Sequence, residues 1–354
     1  MTFVTRLFLI FLLCQTSFSF SKDQVFDSIF GKIKITEPLI LDIIDSPYVQ
    51  RMKGIDQHGL VYFNKDQRTF NRFDHSLGVY YILKRFNVPL IEQAAGLTHD
   101  ISHTTFSHIG DIVYDHYDDV LSYQDSIHFW YLKKTDLSKI LEKYEYNVED
   151  FLFKNDRYQG LEQNLPDLCA DRIEYNLHTG FVYNFITKDE VEEILTDLHY
   201  ENGRWYFETP SIAKKLAGLS LYFTENLWGV KTDAIIYKFA ASAFKRAMNL
   251  KVISFDNLHF STDKIVLEKI KSSDDPLIKG YLKRCNNAEK YYSKGNRFHH
   301  NYSVYQKFRG VNPWIKVEDS FIRLTSLDMD FAIEYLRIKE LAQNGSFYQI
   351  DLGI

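Results

Sequence analysis

The stretch Ala94-Ala95-Gly96-Leu97-Thr98-His99-Asp100-Ile101-Ser102-His103-Thr104-Thr105-Phe106-Ser107-His108 decides how the rest of the chain is read. Just before it, apolar or small residues recur at Ile91, Ala94, Ala95 and Thr98, which is helical spacing. Pro89 stands at the entry, where a missing N–H does no harm. If that helix continues, His99 and His103 are i,i+4 and Asp100 and His103 are i,i+3, so all three lean toward one cavity. Imidazole and carboxylate together suit Zn, Fe, Mn or Ni, and helical bundles build such centres from ligands on separate helices. A histidine hydrogen-bonded within an aromatic core explains any one of these residues. It explains less well an adjacent His-Asp pair with another histidine one turn on.

Working outward, Arg72-Phe73-Asp74-His75 opens a helix before this stretch, and a second helix from Pro166 to His178 follows it, with Asp171 inside and Gly180 just past its end. Asn202-Gly203, between Leu198-His199-Tyr200 and Trp205-Tyr206-Phe207, is the strongest hairpin signal. Val61-Tyr62-Phe63 before Asn64-Lys65-Asp66 is a weaker strand signal. The expected fold is mainly α, a helical body over residues 22–290 with short β-hairpins, followed by a small α+β extension over 291–354. The 354 residues are 45% hydrophobic and 25% charged, which supplies a full core and excludes disordered and multi-span membrane classes. A net charge of −5 argues against stable nucleic-acid or membrane partners. Arg6 followed by Leu7-Phe8-Leu9-Ile10-Phe11-Leu12-Leu13-Cys14 and then small residues has the parts of a Sec-type signal peptide over residues 1–21, so export is expected. Cys169 and Cys285 are expected as two free, buried thiols.

Five segments in fixed order carry a resemblance. They are Asp45 to Gly59, Phe73-Asp74-His75-Ser76-Leu77-Gly78-Val79, the stretch from Ala94 to His108, Ala170-Asp171-Arg172-Ile173-Glu174-Tyr175, and more weakly Thr262-Asp263 through Pro276. Together they resemble the HD-domain metal-dependent phosphohydrolases, nearest the dNTP triphosphohydrolase branch, over residues 25–295. That resemblance implies an HD-domain helical bundle holding one divalent ion (Fe, Mn, Ni or Zn) on His75, His99, Asp100 and Asp171. It implies that His103 contacts phosphate or moves a proton and that Arg72 and Arg172 bind phosphate. Tyr175 would line a nucleotide pocket and Gln57 contact the sugar, with His108 also on the substrate side. A small phosphorylated substrate, nucleotide by preference, and assembly into a homo-oligomer are implied as well.

The chain also departs from that branch. Gln124-Asp125 stands where the branch carries a His-Glu pair whose histidine protonates the leaving group, and Gln cannot act as an acid. His128, one turn on, is the expected replacement, with Asp111 orienting it. His58 replaces a leucine that helps check the sugar, and Asp233 to Arg246 lacks the branch's nucleotide-binding His-Arg-x-x-Tyr. Three readings follow: an active phosphohydrolase, an HD module that binds nucleotide or metal for regulation, and an HD phosphodiesterase or nucleotidase.

Overall fold

The structure, a computed structural model, describes residues 23–353 apart from 64–65, 67, 116–121, 153–156 and 229–230; the expected signal segment lies outside the described residues. Among the described residues the chain is mainly helical with three small sheets. The helix Arg72–Arg85 begins because Asn71 is extended and its side chain accepts the Asp74 N–H at 2.8 Å, capping an orphan donor. Phe73, Leu77, Tyr80 and Leu83 bury one side of it in a core shared with the helices Leu90–Thr98 and Ala170–Val182. A second core forms around the helices Lys231–Asn249 and Pro276–Cys285. Leu97 and Ile101 belong to the first core, Phe106 and Ile109 to the second, so the histidine-rich segment spans the seam between them.

That segment is not helical. The helix ends at Thr98, and residues 99–108 run as turns. Side chains take the carbonyls the next turn would need: Thr98 Oγ1 donates to the Ala95 carbonyl at 3.3 Å, and His99 Nδ1 meets the Gly96 carbonyl at 2.7 Å. The expected i,i+4 face is therefore replaced by a tight turn in which the His103 N–H donates to the Asp100 carbonyl at 3.1 Å. The Asp171 helix likewise starts later than expected, at Ala170, because Cys169 is extended and the Ala170 N–H donates to the Gly160 carbonyl at 2.8 Å; Gly180 lies inside it. Residues Val61–Phe63 form a 3-10 turn rather than a strand, closed by the Phe63 N–H on the Leu60 carbonyl at 3.0 Å.

Strands β1 (Gln24–Ser28) and β2 (Gly31–Ile35) form an antiparallel hairpin. The Asn202-Gly203 turn joins β3 (Leu198–Glu201) to β4 (Arg204–Phe207), with φ of 50° and 78° at its two residues, as a tight hairpin requires. The segment 291–354 supplies the remaining strands. Of these, β5 (Tyr292–Lys294) and β6 (Tyr302–Val304) flank β9 (Ser346–Ile350), while β7 (Trp314–Val317) pairs in parallel with β4 and β8 (Ser320–Arg323) forms the far edge. Its helix Met329–Gln343 packs on the helix Pro210–Asn226. Cys169 and Cys285 are free and buried. Among the described residues no helix is long and apolar enough to cross a membrane.

Candidate metal centre

Three segments far apart in the chain meet at one point. His75 comes from the first turn of the Arg72–Arg85 helix, His99 from the turn after Thr98, and Asp171 from the first turn of the Ala170–Val182 helix. Their ligand atoms all lie within 4.8 Å of one another. His75 Nε2 is 3.0 Å and His99 Nε2 3.5 Å from Asp171 Oδ1.

The other ring nitrogens fix which atom faces that point. His75 Nδ1 makes a short contact with the Glu174 carboxylate, and His99 Nδ1 meets the Gly96 carbonyl. Both partners only accept, so each Nδ1 carries the proton and each Nε2 turns a lone pair inward. His75 Nε2 and Asp171 Oδ1 then confront each other without forming a hydrogen bond, as two acceptors that need a cation between them. Burial lowers the His75 pKa, but Glu174, Asp171 and Asp100 outweigh it and lift it to about 10, so either a second proton on Nε2 or a cation must lie between that nitrogen and Asp171. The carboxylates thus demand positive charge here, and a divalent ion on two imidazoles and a carboxylate supplies it. The donor set fits one.

Asp100 faces the same point, 3.5 Å from His99 Nε2 and 3.6 Å from His75 Nε2. Its other tie is a short buried ion pair with Arg72 Nη1. Burial alone would raise the pKa values of Asp100 and Asp171; Arg72 together with His99 for the first, and His75 with His99 for the second, hold both well below the usual carboxylate range. His103 Nε2 lies 3.3 Å from Asp100 Oδ1, and burial together with the Arg72 charge pushes its pKa down to about 3. His103 is therefore a neutral hydrogen-bonding group and not one that titrates near neutrality.

A cavity of about 920 Å³ is lined by Gln57, His108 and Tyr175, with Tyr183, Trp228 and Tyr237 among its walls; His108 meets His103 edge to face at 5.2 Å and Tyr175 stands one helical turn beyond Asp171, which links the cavity to the centre. Tyr175 and Trp228 meet edge to face at 5.0 Å. The two arginines expected on phosphate do not line it. Arg72 is buried and spends its donors on Asp100, on Ser107 Oγ at 2.8 Å and on the Gln57 carbonyl at 3.5 Å. Arg172 donates to the Asp167 carbonyl at 2.9 Å and to Glu162 at 3.0 Å. The expected pairing of Asp111 with His128 is not made either. Asp111 accepts from the Tyr123 N–H at 2.7 Å and stands 3.6 Å from His108 Nδ1, while His128 Nδ1 sits 2.9 Å from Ser102 Oγ, away from the cavity. Burial would raise the Asp111 pKa, but His108 and the Tyr123 N–H lower it.

Glu174 belongs to the site as well, a role its place in the Asp171 motif, three residues on and on the same helical face, does not by itself reveal. It is fully buried, accepts from His75, and takes His178 Nδ1 at 2.7 Å. Gly78 makes room for it, since a Cβ there would run into the carboxylate. Nothing in the spacing marks the clamp formed by Asp263 and Arg51. Asp263 accepts the backbone N–H of Asp56 at 2.9 Å and of Phe106 at 2.7 Å. Arg51 donates to the carbonyls of His103 and Ser261, each at 2.8 Å.

No family model matches the sequence. The uncharacterized protein YdhJ of Bacillus subtilis is 29% identical over 302 residues, covering 85% of this chain and 90% of that protein. The metal-dependent phosphohydrolase cns2 of Cordyceps militaris is 32% identical over 172 residues, 49% of each chain. The deoxynucleoside triphosphate triphosphohydrolase SAMHD1 of Bos taurus is 39% identical over 100 residues, 24% of this chain and 17% of that protein. The chain thus spans about half the length of cns2 and under a fifth of SAMHD1. Among solved structures, a hypothetical protein from Aquifex aeolicus superposes with TM-score 0.67 at 17% identity, covering 88% of this chain and 93% of that one. A phosphohydrolase from Bacteroides thetaiotaomicron gives 0.64 at 17%, covering 87% and 95%. At that identity the two structures speak for the fold. The centre that the ordered motifs build and the partial likeness to cns2 and SAMHD1 make the chain similar to the HD-domain metal-dependent phosphohydrolases.

Proposed function

We propose that the chain hydrolyses a nucleotide phosphoanhydride or ester in the cavity beside the metal centre, in the manner of a dNTP triphosphohydrolase. The observation that carries this is a pair of imidazoles with inward lone pairs facing Asp171, one helical turn before Tyr175 on the wall of an aromatic-lined cavity of about 920 Å³. That size lies within the range typical of small-molecule sites. A bound divalent ion supplies a water of lowered pKa and offsets charge on the phosphoryl group.

The chain's own residues divide the remaining work. Arg72 holds Asp100 in place. His103, neutral and buried, gives its one ring N–H to Asp100 and so helps Arg72 hold that carboxylate. His108, with 45% of its side chain exposed and Asp111 beside it, is positioned on the cavity wall to hand a proton to the departing oxygen. This assigns the acid role to His108, because His128 faces Ser102. Tyr175, Tyr183 and Trp228 give a base or another flat apolar group surfaces to pack on.

The test is a hydrolysis screen of purified protein loaded in turn with Mn, Fe, Ni and Zn. Substrates would be deoxynucleoside and ribonucleoside triphosphates, monophosphates, cyclic nucleotides and bis(p-nitrophenyl) phosphate, with products identified by mass. Release of triphosphate from at least one nucleotide is the expected result. Cleavage of monophosphates or cyclic nucleotides alone would move the chain to nucleotidase or phosphodiesterase work. The second reading, a regulatory module, rests on Gln124, whose amide supports Ser102 Oγ at 2.7 Å where an acid would stand. Stoichiometric metal with no turnover on any substrate would favour it.

A further inference from the structure

Both arginines expected on phosphate are spent elsewhere, yet the cavity still holds a guanidinium. Arg309, in the segment after β6, lines it and makes no hydrogen bond or ion pair among the described residues. Burial raises the Tyr175 pKa to about 12, and of the charges opposing that rise Arg309 acts ahead of Arg172. Arg309 and Tyr175 line the same cavity, and Tyr175 stands one helical turn beyond Asp171.

The backbone that carries Arg309 is tied down on both sides. Gln306 Nε2 donates to the Trp228 carbonyl at 2.6 Å and also to that of Thr224. Phe308 packs edge to face on Tyr335 at 5.1 Å. Beyond it, the Val311 N–H donates to Ser220 Oγ and the Asn312 N–H to the Pro166 carbonyl, each at 3.0 Å. At Gly310 a Cβ would strike Phe308 and Leu221, so the chain approaches its neighbours as closely as glycine allows. An unpaired, partly buried guanidinium on an anchored segment is preorganised for an anion and loses little entropy on binding one.

We infer that Arg309 forms a second phosphate subsite, which receives a phosphoryl group other than the one at the metal centre and so selects di- and triphosphates over monophosphates. A guanidinium fork matches two phosphoryl oxygens. The scissile group belongs beside His75, His99 and Asp171, and Arg309 lines the cavity onto which Tyr175, one helical turn beyond Asp171, also opens. A monoester cannot occupy both places; a phosphoanhydride can. The segment that builds the subsite lies C-terminal to every motif of the family resemblance. This inference deepens the proposed function and rests on the same cavity being the substrate site.

The test measures binding by calorimetry to the Mn-loaded full chain, with inorganic tripolyphosphate and orthophosphate as probes, for the wild type, Arg309→Gln and Arg309→Lys. Loss of a charge-assisted contact is expected to weaken tripolyphosphate about tenfold or more in Arg309→Gln, with partial recovery in Arg309→Lys. Orthophosphate affinity is expected to change less than about twofold, since that probe needs only the metal. Metal content and melting temperature of each variant guard against loss of fold. The inference is overturned if the wild type does not bind tripolyphosphate, if neither substitution weakens it, or if both probes weaken equally. Failure of the hydrolysis proposal is seen separately: tripolyphosphate bound through Arg309 with no turnover of any substrate would sink that proposal and leave the subsite standing.

Discussion

Which ring nitrogen carries the proton decides the centre at the scale of single residues. Glu174 holds the proton on His75 Nδ1, and the Gly96 carbonyl does the same for His99. Replacing Glu174 by Gln keeps the shape but removes the charge that makes His75 a good ligand. Metal affinity, measured by competition with a chromophoric chelator, is expected to fall about 10–100-fold with the helical circular dichroism unchanged. Asp171→Ala removes a ligand outright, so the purified protein is expected to carry no stoichiometric metal by elemental analysis and to show only background hydrolysis. Metal retained at one equivalent in that variant would put the ion elsewhere.

Among elements, the one that matters most is the turn from His99 to His108, which has no helix of its own to hold it. Its shape comes from outside: Asp263 takes the Phe106 N–H, and Arg51 takes the His103 carbonyl and, at 3.4 Å, that of Ile101. Asp263→Ala leaves two buried N–H groups without their acceptor. It is expected to cost about 1–3 kcal/mol per group in denaturant unfolding, softened wherever water enters. If the clamp positions the site, kcat falls further in that variant than metal content does. Equal metal content with unchanged kcat would make Asp263 a stabilising residue only.

For the whole molecule, buried neutral histidines set the response to acid. His259, stacked on Phe255 at 3.7 Å and bonded to the Tyr123 hydroxyl at 3.0 Å, has its pKa lowered to about 4 by burial, ahead of the Arg51 charge. The unfolded chain takes up a proton near pH 6.5 that the folded chain refuses until about 4. Stability from this group is full above 6.5 and is lost as pH falls toward 4, by at most on the order of 3 kcal/mol. His259→Leu is expected to flatten the slope of unfolding free energy over that window, whatever it does to absolute stability; an unchanged slope would mean the imidazole is not the group responsible. Metal acts on the whole molecule too. A chelator is expected to lower the melting temperature, since an ion at about a hundred times its Kd stabilises the folded state by about 2.7 kcal/mol.

The amino-acid sequence alone determined the helical class, the Asn202-Gly203 hairpin and the three residues whose ligand atoms meet at the candidate centre, because these depend on local periodicity, turn chemistry and motifs short enough to be read in order. It also displayed Glu174 inside a motif without showing its role. Tertiary structure decided what each polar group is spent on. Arg72 and Arg172 look equally free in the text, yet packing commits one to Asp100 and the other to Glu162, and leaves Arg309 facing the cavity. Asp111 serves His108 and not His128 for the same reason. A buried charge or hydrogen-bonding group must find its partner in three dimensions, and that partner comes from whichever distant segment the two cores bring alongside.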